Sequence, residues 1–264
     1  MAEQNMGQLP LLPLVARSYA FVLTGLRPLL AATWPWIGVV YIAGRAATGV
    51  SSGLTVEDEV PSALWILIVT NLVASSAVSV LCHRIIILGE WPAGLHSVHF
   101  GRREFHYLLA LLGVGFCVTC IMLLLTGLLR AVGLDSRGGI IGASAVVLAS
   151  LTSLVLYARV SLAFPDLAVS GKRLPWHVWR ASRGQTARII LGMALSGMPS
   201  VLIAQQIIVI VAILQVKDLT SLAILVDIFG LIVTFIAIMS SAAFLSFTYQ
   251  WLVLGSARSF LSKK

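Results

Sequence analysis

The sequence predicts an all-α, polytopic membrane protein with six transmembrane helices and further amphipathic helices at the membrane interface. Of its 264 residues, 59% are hydrophobic and 11% are charged, whereas soluble domains carry roughly 25% charged residues. Several apolar runs reach the ~20 residues that a helix needs to cross a bilayer. The alternating pattern of a membrane β-barrel strand is absent.

The chain begins with an apolar stretch, residues 10–30, that is interrupted by Arg17 and Arg27. This pattern favours a helix lying in the interface, with both arginines directed to the headgroups. Its expected apolar face comprises Leu14, Ala16, Phe21, Val22 and Leu29. The first span is predicted at residues 29–44. A cleaved signal peptide is the alternative, which is disfavoured because Arg45 follows at once.

Five further apolar runs predict the remaining spans. They lie at residues 61–81 with an extension towards 88, 107–129, 140–157, 189–214 and 219–254. The last run is longer than one crossing, so we expect it to tilt, kink or protrude from the bilayer. Together the spans predict one integral membrane domain over residues 1–264.

The basic residues predict the orientation. Of the 18 Lys and Arg residues, 14 lie on one side of the predicted spans. The other side holds Arg45, Arg130, Arg137 and Lys217. Because basic loops stay in the cytoplasm, we expect six spans with both termini cytoplasmic. The net charge of +8 is then explained without a nucleic-acid partner.

The most basic inner segment, residues 159–188, predicts the main cytoplasmic surface. It combines arginine and lysine with tryptophan, which favours contact with anionic lipid headgroups. The candidate lipid-binding residues are Arg159, Lys172, Arg173, Trp176, Trp179, Arg180, Arg183 and Arg188. The expected partner is anionic phospholipid, with a membrane-protein partner or a homo-oligomer as further candidates.

The chain also divides into three similar units, residues 10–90, 91–173 and 174–258. Each contains a basic amphipathic segment, a span, a short outer loop and a second span. Two explanations remain open. Three repeated helical hairpins would surround a central groove, or the similarity is that of any protein with an even number of spans and basic inner loops.

One unit carries a set of residues typical of a known group of proteins. The set comprises Arg159, Pro165, Gly171, Trp179, Arg180, Ala181, Ser182 and Gly184, followed by an apolar span. It resembles the YciC-like bacterial inner-membrane proteins and the membrane domain attached to some glycerophosphodiester phosphodiesterases. Those families usually have an acid before the glycine, where this chain has Val169 and Ser170. The resemblance implies a six-span inner-membrane fold and no chemistry.

Polar residues inside the predicted spans are candidates for a second kind of site. They are Asn71, Gln205, Gln206 and Asp227. An ionisable group in hydrocarbon is costly, so Asp227 is either a proton or cation site or lies near the outer interface. The amides can line a transport pocket, although hydrogen bonding between helices is the simpler explanation. A transporter or permease subunit is therefore the alternative function.

Motifs for metal binding and catalysis are weak. His83, His96, His99 and His106 fall in one inner segment, where amphipathic rings are ordinary and a haem or metal site is the alternative. No His-Glu-x-x-His motif and no phosphate-binding glycine loop occur. We therefore expect no enzyme, no cofactor and no metal. The leading hypothesis is a non-enzymatic accessory or scaffold protein with a basic cytoplasmic collar that binds anionic lipid.

Overall fold

A computed structural model describes residues 8–51, 62–92, 100–131, 140–170 and 176–255. All regular secondary structure within these ranges is helical. The helices are α1 (Leu11–Thr24), α2 (Leu26–Ser51), α3 (Ser62–Leu88), α4 (Arg102–Ala131), α5 (Ile140–Ser161), α6 (Ala163–Ser170), α7 (Trp176–Ala181), α8 (Thr186–Val216) and α9 (Thr220–Leu252).

Six helical stretches are long and apolar enough to cross a membrane. They are Leu26–Ala47, Leu64–Leu88, Arg102–Leu128, Ser150–Ser170, Thr186–Val216 and Thr220–Leu252. The predicted all-α polytopic class with six spans is thereby confirmed. The spans predicted at 29–44 and 189–214 extend past both predicted ends, because the polar residues beside them remain helical, where they reach the headgroup region. The last span, predicted at 219–254, instead ends inside its predicted bounds.

The prediction that all of residues 159–188 form a surface is wrong for its first half. The fourth apolar stretch continues through the end of α5 into α6, and Phe164, Pro165 and Leu167 of α6 are buried. The segment from 160 to 170 has one charged side chain, Asp166, and its carboxylate accepts a hydrogen bond from the Tyr249 hydroxyl at 2.5 Å. With its one charge satisfied, this short helix packs against α3, α4 and α9.

The tightest helix pair is α8 with α9, and glycine permits its close approach. A Cβ added to Gly192 would lie 2.7 Å from Cε1 of Phe244 and closer still to two other ring atoms. Further along the pair, a Cβ on Gly230 would lie 2.8 Å from Ile207. Small residues at helix contacts strengthen van der Waals packing in a bilayer, where the hydrophobic effect does not drive association.

The first helix, α1, lies against α9 and α8. Leu14, Val15, Ser18 and Val22 form its buried face, while Arg17 is exposed. The predicted amphipathic pattern is confirmed at Leu14, Val22 and Leu29. Ala16, also expected on that face, is exposed because the buried stripe runs one position away from it. Arg27 is exposed as predicted.

The α4–α5 hairpin is packed more loosely than the rest. Tyr107 is the one buried side chain of α4 among those that the structure describes. It lies with its ring centroid 5.1 Å from that of Phe164 in α6 and 5.8 Å from that of His83 in α3. The hairpin is therefore held at this end, and most of α4 faces outwards.

The three predicted repeat units stay a prediction. Gly89, after α3, and Gly255, after α9, both have left-handed backbone angles, with φ of 73° and 61°. Left-handed glycine commonly ends a helix, so the two units end alike. The equivalent Gly171 lies outside the described residues.

Candidate functional site

One end of the helix bundle carries most of the described positive charge. Here α3, α5 and α9 end, and α2, α4 and α8 begin. We define the basic collar as Arg17, Arg27, Arg84, Arg102, Arg103, Arg159, Arg180, Arg183 and Arg188. The acids described at this end are Glu90, Glu104 and Asp166. The collar is therefore strongly cationic, as the charge count of the sequence predicts.

Contacts between distant segments hold this end together. The Arg17 guanidinium carbon lies 4.8 Å from the centroid of the Phe247 ring, a cation–π arrangement between α1 and α9. Partial burial lowers the pKa of Arg17 from its usual value, but an arginine stays charged in proteins. The Gln250 side-chain amide donates to the Ile86 carbonyl at 2.9 Å, joining α9 to α3.

Two of the predicted lipid-binding arginines have structural partners. Arg159 lies 5.3 Å from the centroid of the Trp179 ring, and its Nε donates to the Thr186 hydroxyl at 3.4 Å. Arg188 donates through Nη1 to the Leu9 carbonyl at 2.8 Å, and through Nη2 to the Gln8 side chain. These contacts fix α5 to α7 and α8, and residues 8–9 to the start of α8.

Arg180 and Arg183 are the predicted lipid-binding residues best placed for headgroups. Both are exposed, and they lie on either side of the end of α7, where the Arg183 backbone N–H donates to the Arg180 carbonyl at 3.1 Å. Gly184, with φ of 78°, then redirects the chain into α8. Lys172 and Arg173 lie outside the described residues, as does the side chain of Trp176.

The structure places the four polar residues predicted inside the spans in different surroundings. Gln205 and Gln206 are exposed on α8. Asn71 is half-buried and its amide donates to the Leu67 carbonyl of its own helix at 3.3 Å. Asp227 is half-buried near the start of α9, where it interacts electrostatically with Arg45. Neither of the two cavities described below is lined by any of them.

His83 is a site residue that the sequence interpretation missed. We expected an amphipathic ring at the interface, but the side chain is fully buried. Its Nδ1 lies 2.7 Å from the Ser246 hydroxyl of α9, and its Nε2 lies 3.3 Å from the Tyr107 hydroxyl of α4. Burial is possible because both ring nitrogens have partners on other helices.

The hydrogen bonds of this network have a definite direction. The Ser246 hydroxyl donates to the Ala242 carbonyl at 2.8 Å, so its oxygen accepts from the Nδ1–H of His83. In neutral imidazole Nε2 is then an acceptor, and the Tyr107 hydroxyl donates to it. In its neutral form the histidine is therefore held in a single tautomer, with the proton on Nδ1.

Ser79 and Tyr107 also line a partly open cavity of about 270 Å³ between the helices. Ser75, Tyr157 and Ser241 supply further hydroxyls to its wall. The sequence does show the serines that line this cavity, since they lie within the apolar spans α3 and α9. Their convergence was not predictable, because it depends on how helices far apart in sequence pack.

Evidence for a metal centre is lacking in the described part of the chain. It contains no group of three or more His, Cys, Asp and Glu side chains that could hold an ion. His106 is exposed, whereas His96 and His99 lie outside the described residues. Cys117 is exposed and Cys120 half-buried on α4.

Comparison with known proteins assigns no family. No family model, no curated protein and no solved structure matches the chain. The resemblance to the YciC-like proteins and to the phosphodiesterase-linked membrane domain therefore stays a prediction.

Proposed function

We propose that this multi-pass membrane protein is a non-enzymatic accessory or scaffold protein of the bacterial inner membrane, whose basic collar binds anionic phospholipid. The observation that carries the proposal is the concentration of nine described arginines at one end of the bundle, against three acids. Arginine guanidinium groups bind phosphate oxygens through paired, charge-assisted hydrogen bonds. A membrane-protein partner or a second copy would meet the same collar.

The orientation in the membrane follows from the same charge distribution. Basic segments remain on the cytoplasmic side during insertion, which supports a cytoplasmic collar. Both ends of the described chain lie at the collar, since Leu9 is bonded to Arg188 and α9 ends beside α3. Both termini are then cytoplasmic, and the collar faces the anionic leaflet.

A transporter or permease subunit is less well supported. That hypothesis required Asn71, Gln205 and Asp227 to converge on a polar pocket. Gln205 is exposed, and Asp227 has Arg45 as its electrostatic neighbour. These positions favour hydrogen bonding and interfacial contact over a shared transport site.

The test uses the full chain purified in mild detergent, with phosphatidylglycerol and phosphatidylcholine binding compared by native mass spectrometry. The double variant Arg180→Gln/Arg183→Gln removes two exposed charges that make no described side-chain contact with the bundle. A basic residue near an anionic lipid surface contributes about 1 kcal/mol, so phosphatidylglycerol affinity should fall roughly 30-fold. Phosphatidylcholine binding should not change.

Two matched controls accompany this variant. Arg180→Lys/Arg183→Lys keeps both charges and should retain most of the affinity. Lys217→Gln removes a charge at the opposite end of the bundle and should have no effect. Unchanged phosphatidylglycerol binding in the double glutamine variant, or an equal loss in Lys217→Gln, would contradict the proposal.

A further inference from the structure

A second site lies away from the collar, between α4 and α5. The two helices enclose a groove of about 420 Å³. From α4 it is lined by apolar side chains such as Leu111 and Met122. From α5 it is lined by Ser150, Ser153 and Tyr157, whose spacing places them on one helical face. The groove thus has an apolar wall and a hydroxyl-bearing wall.

This groove adjoins the partly open cavity. Leu111 and Tyr157 line both spaces, so the groove and the cavity share part of their walls. The exposed side chains of α4 beside the groove include Phe116 and Leu123, which face lipid in a membrane-spanning helix. Access to the groove is therefore from the hydrocarbon of the bilayer.

Ser153 indicates that the groove has a ligand. Hydroxyls elsewhere in the bundle donate to the carbonyl four residues earlier, as Ser76 of α3 does to Leu72 at 2.8 Å and Thr152 of α5 does to Leu148 at 2.9 Å. Among the described residues, the buried hydroxyls of Ser153 and Thr248 have no hydrogen-bond partner. Of these two, Ser153 lines the groove and Thr248 does not. Leaving such a group unsatisfied costs roughly 1–3 kcal/mol, which a ligand with a hydrogen-bonding group would offset.

The lining also specifies the charge of that ligand. No Asp, Glu, Lys or Arg is among the described residues that line the groove or the cavity. A buried charge without a counter-charge is strongly unfavourable, so an anionic or cationic molecule is excluded. The space is suited to a neutral molecule with a long apolar part and a small polar head.

We propose that the α4–α5 groove binds an uncharged, hydroxyl-bearing lipid of the long-chain alcohol type, taken up from the bilayer. The chain lies along Val118 and Met122 of α4. The head hydroxyl, which both donates and accepts, lies near Ser153 and Tyr157. The ligand differs in charge and location from the anionic lipid of the collar.

The experiment is photolabelling of the full chain in phosphatidylcholine nanodiscs. The probe is a long-chain alcohol with a diazirine near the end of its chain, and the matched probe is the corresponding alkyl sulfate, which is permanently charged. Labelled peptides are identified by mass spectrometry. We expect saturable labelling of α4 and α5 by the alcohol, at least threefold above the sulfate, and competition by unlabelled hexadecanol.

Two glycines of α4 provide a matched pair of variants. A Cβ at Gly113 or at Gly115 would meet nothing within 4 Å, so Leu fits the backbone at both positions. Only Gly115 lines the groove. Gly115→Leu should lower the labelling at least fivefold, and Gly113→Leu should leave it unchanged. Ser153→Ala should lower the labelling by alcohol and not the weak labelling by alkyl sulfate.

Three results would each overturn the proposal. The first is labelling spread evenly over all lipid-facing helices without saturation. The second is equal labelling of α4 and α5 by the alcohol and the alkyl sulfate, which would show that the groove does not select against charge. The third is that Gly113→Leu and Gly115→Leu retain the same amount of labelling. Neither collar binding nor its loss affects these measurements, because the nanodiscs contain no anionic lipid.

Discussion

The closest helix contact gives the sharpest stability prediction. Gly192 of α8 faces the ring of Phe244 in α9, which is fully buried. In Gly192→Ala the new methyl would overlap three atoms of this ring, so the ring or the helix backbone must shift. Overpacking of this kind costs ~1–3 kcal/mol. We predict a loss of at least ~2 kcal/mol, which corresponds to a melting midpoint lower by roughly 4–8 °C.

Cys82 provides the assay, since it is fully buried in α3. In a background where Cys117 and Cys120 are replaced by alanine, a thiol-reactive fluorophore reports exposure of Cys82 as the detergent-solubilised protein is heated. Gly113→Ala, at a glycine whose added methyl meets nothing, is the control. It should leave the midpoint unchanged or raise it, because alanine has the higher helix propensity.

A second substitution distinguishes the steric explanation from a general loss of helix packing. Phe244→Leu removes the ring that Gly192→Ala would strike, so the double variant should recover stability relative to the sum of the two single losses. We expect a coupling of at least ~1 kcal/mol, as is found for residues in contact. Equal midpoints for Gly192→Ala and Gly113→Ala, or strictly additive losses, would refute the reasoning.

Three further predictions concern the buried network, the N-terminal contact and the orientation. Tyr107→Phe leaves the Nε2 of His83 without its donor and should cost ~1–3 kcal/mol in the same thiol assay. Arg188→Gln removes the donor to the Leu9 carbonyl, so limited proteolysis should cleave the N-terminal segment faster. A single cysteine at Lys217 should be labelled by an impermeant reagent in intact cells, as expected for the outer side.

Each of these predictions has its own control. Tyr157→Phe also removes a buried phenol hydroxyl but lies outside the His83 hydrogen bonds, and a loss equal to that of Tyr107→Phe would argue against the network. Arg183→Gln should leave proteolysis of the N-terminal segment unchanged. A single cysteine at Arg183 should be labelled only after the cells are opened, and the reverse pattern would invert the proposed topology.

The helices were predictable because their signal is local. The second span, expected at 61–81 with an extension towards 88, is observed as helix Ser62–Leu88, since length and apolar character are properties of the segment itself. The charge asymmetry of the collar was predictable for the same reason. Both depend only on the order of residues along the chain, because the bilayer thickness sets the length of a span and basic loops stay in the cytoplasm.

What could not be predicted depends on pairings between distant residues. The burial of His83 depends on its hydrogen bond with Ser246, 163 positions later. The burial of α6 depends on the hydrogen bond between Asp166 and Tyr249, which are 83 positions apart. From the sequence, a histidine beside arginines at the end of a span is expected at the interface. Only the folded structure shows that a hydroxyl from another helix contacts it. Likewise, the sequence does not distinguish Ser153 from other serines in apolar helices, because the lack of a hydrogen-bond partner is visible only in the folded structure.

The two helical hairpins differ in a way that connects the buried network to the groove. In α8 and α9, glycines bring the backbones together along the pair, so this hairpin is a rigid support. In α4 only Tyr107 is buried among the described side chains, and it is bonded to His83 on α3. Beyond this residue, α4 packs on α3, α5 and α6 through side chains that are only half-buried. The proposed ligand of the groove would therefore add packing contacts to a helix that buries few side chains of its own.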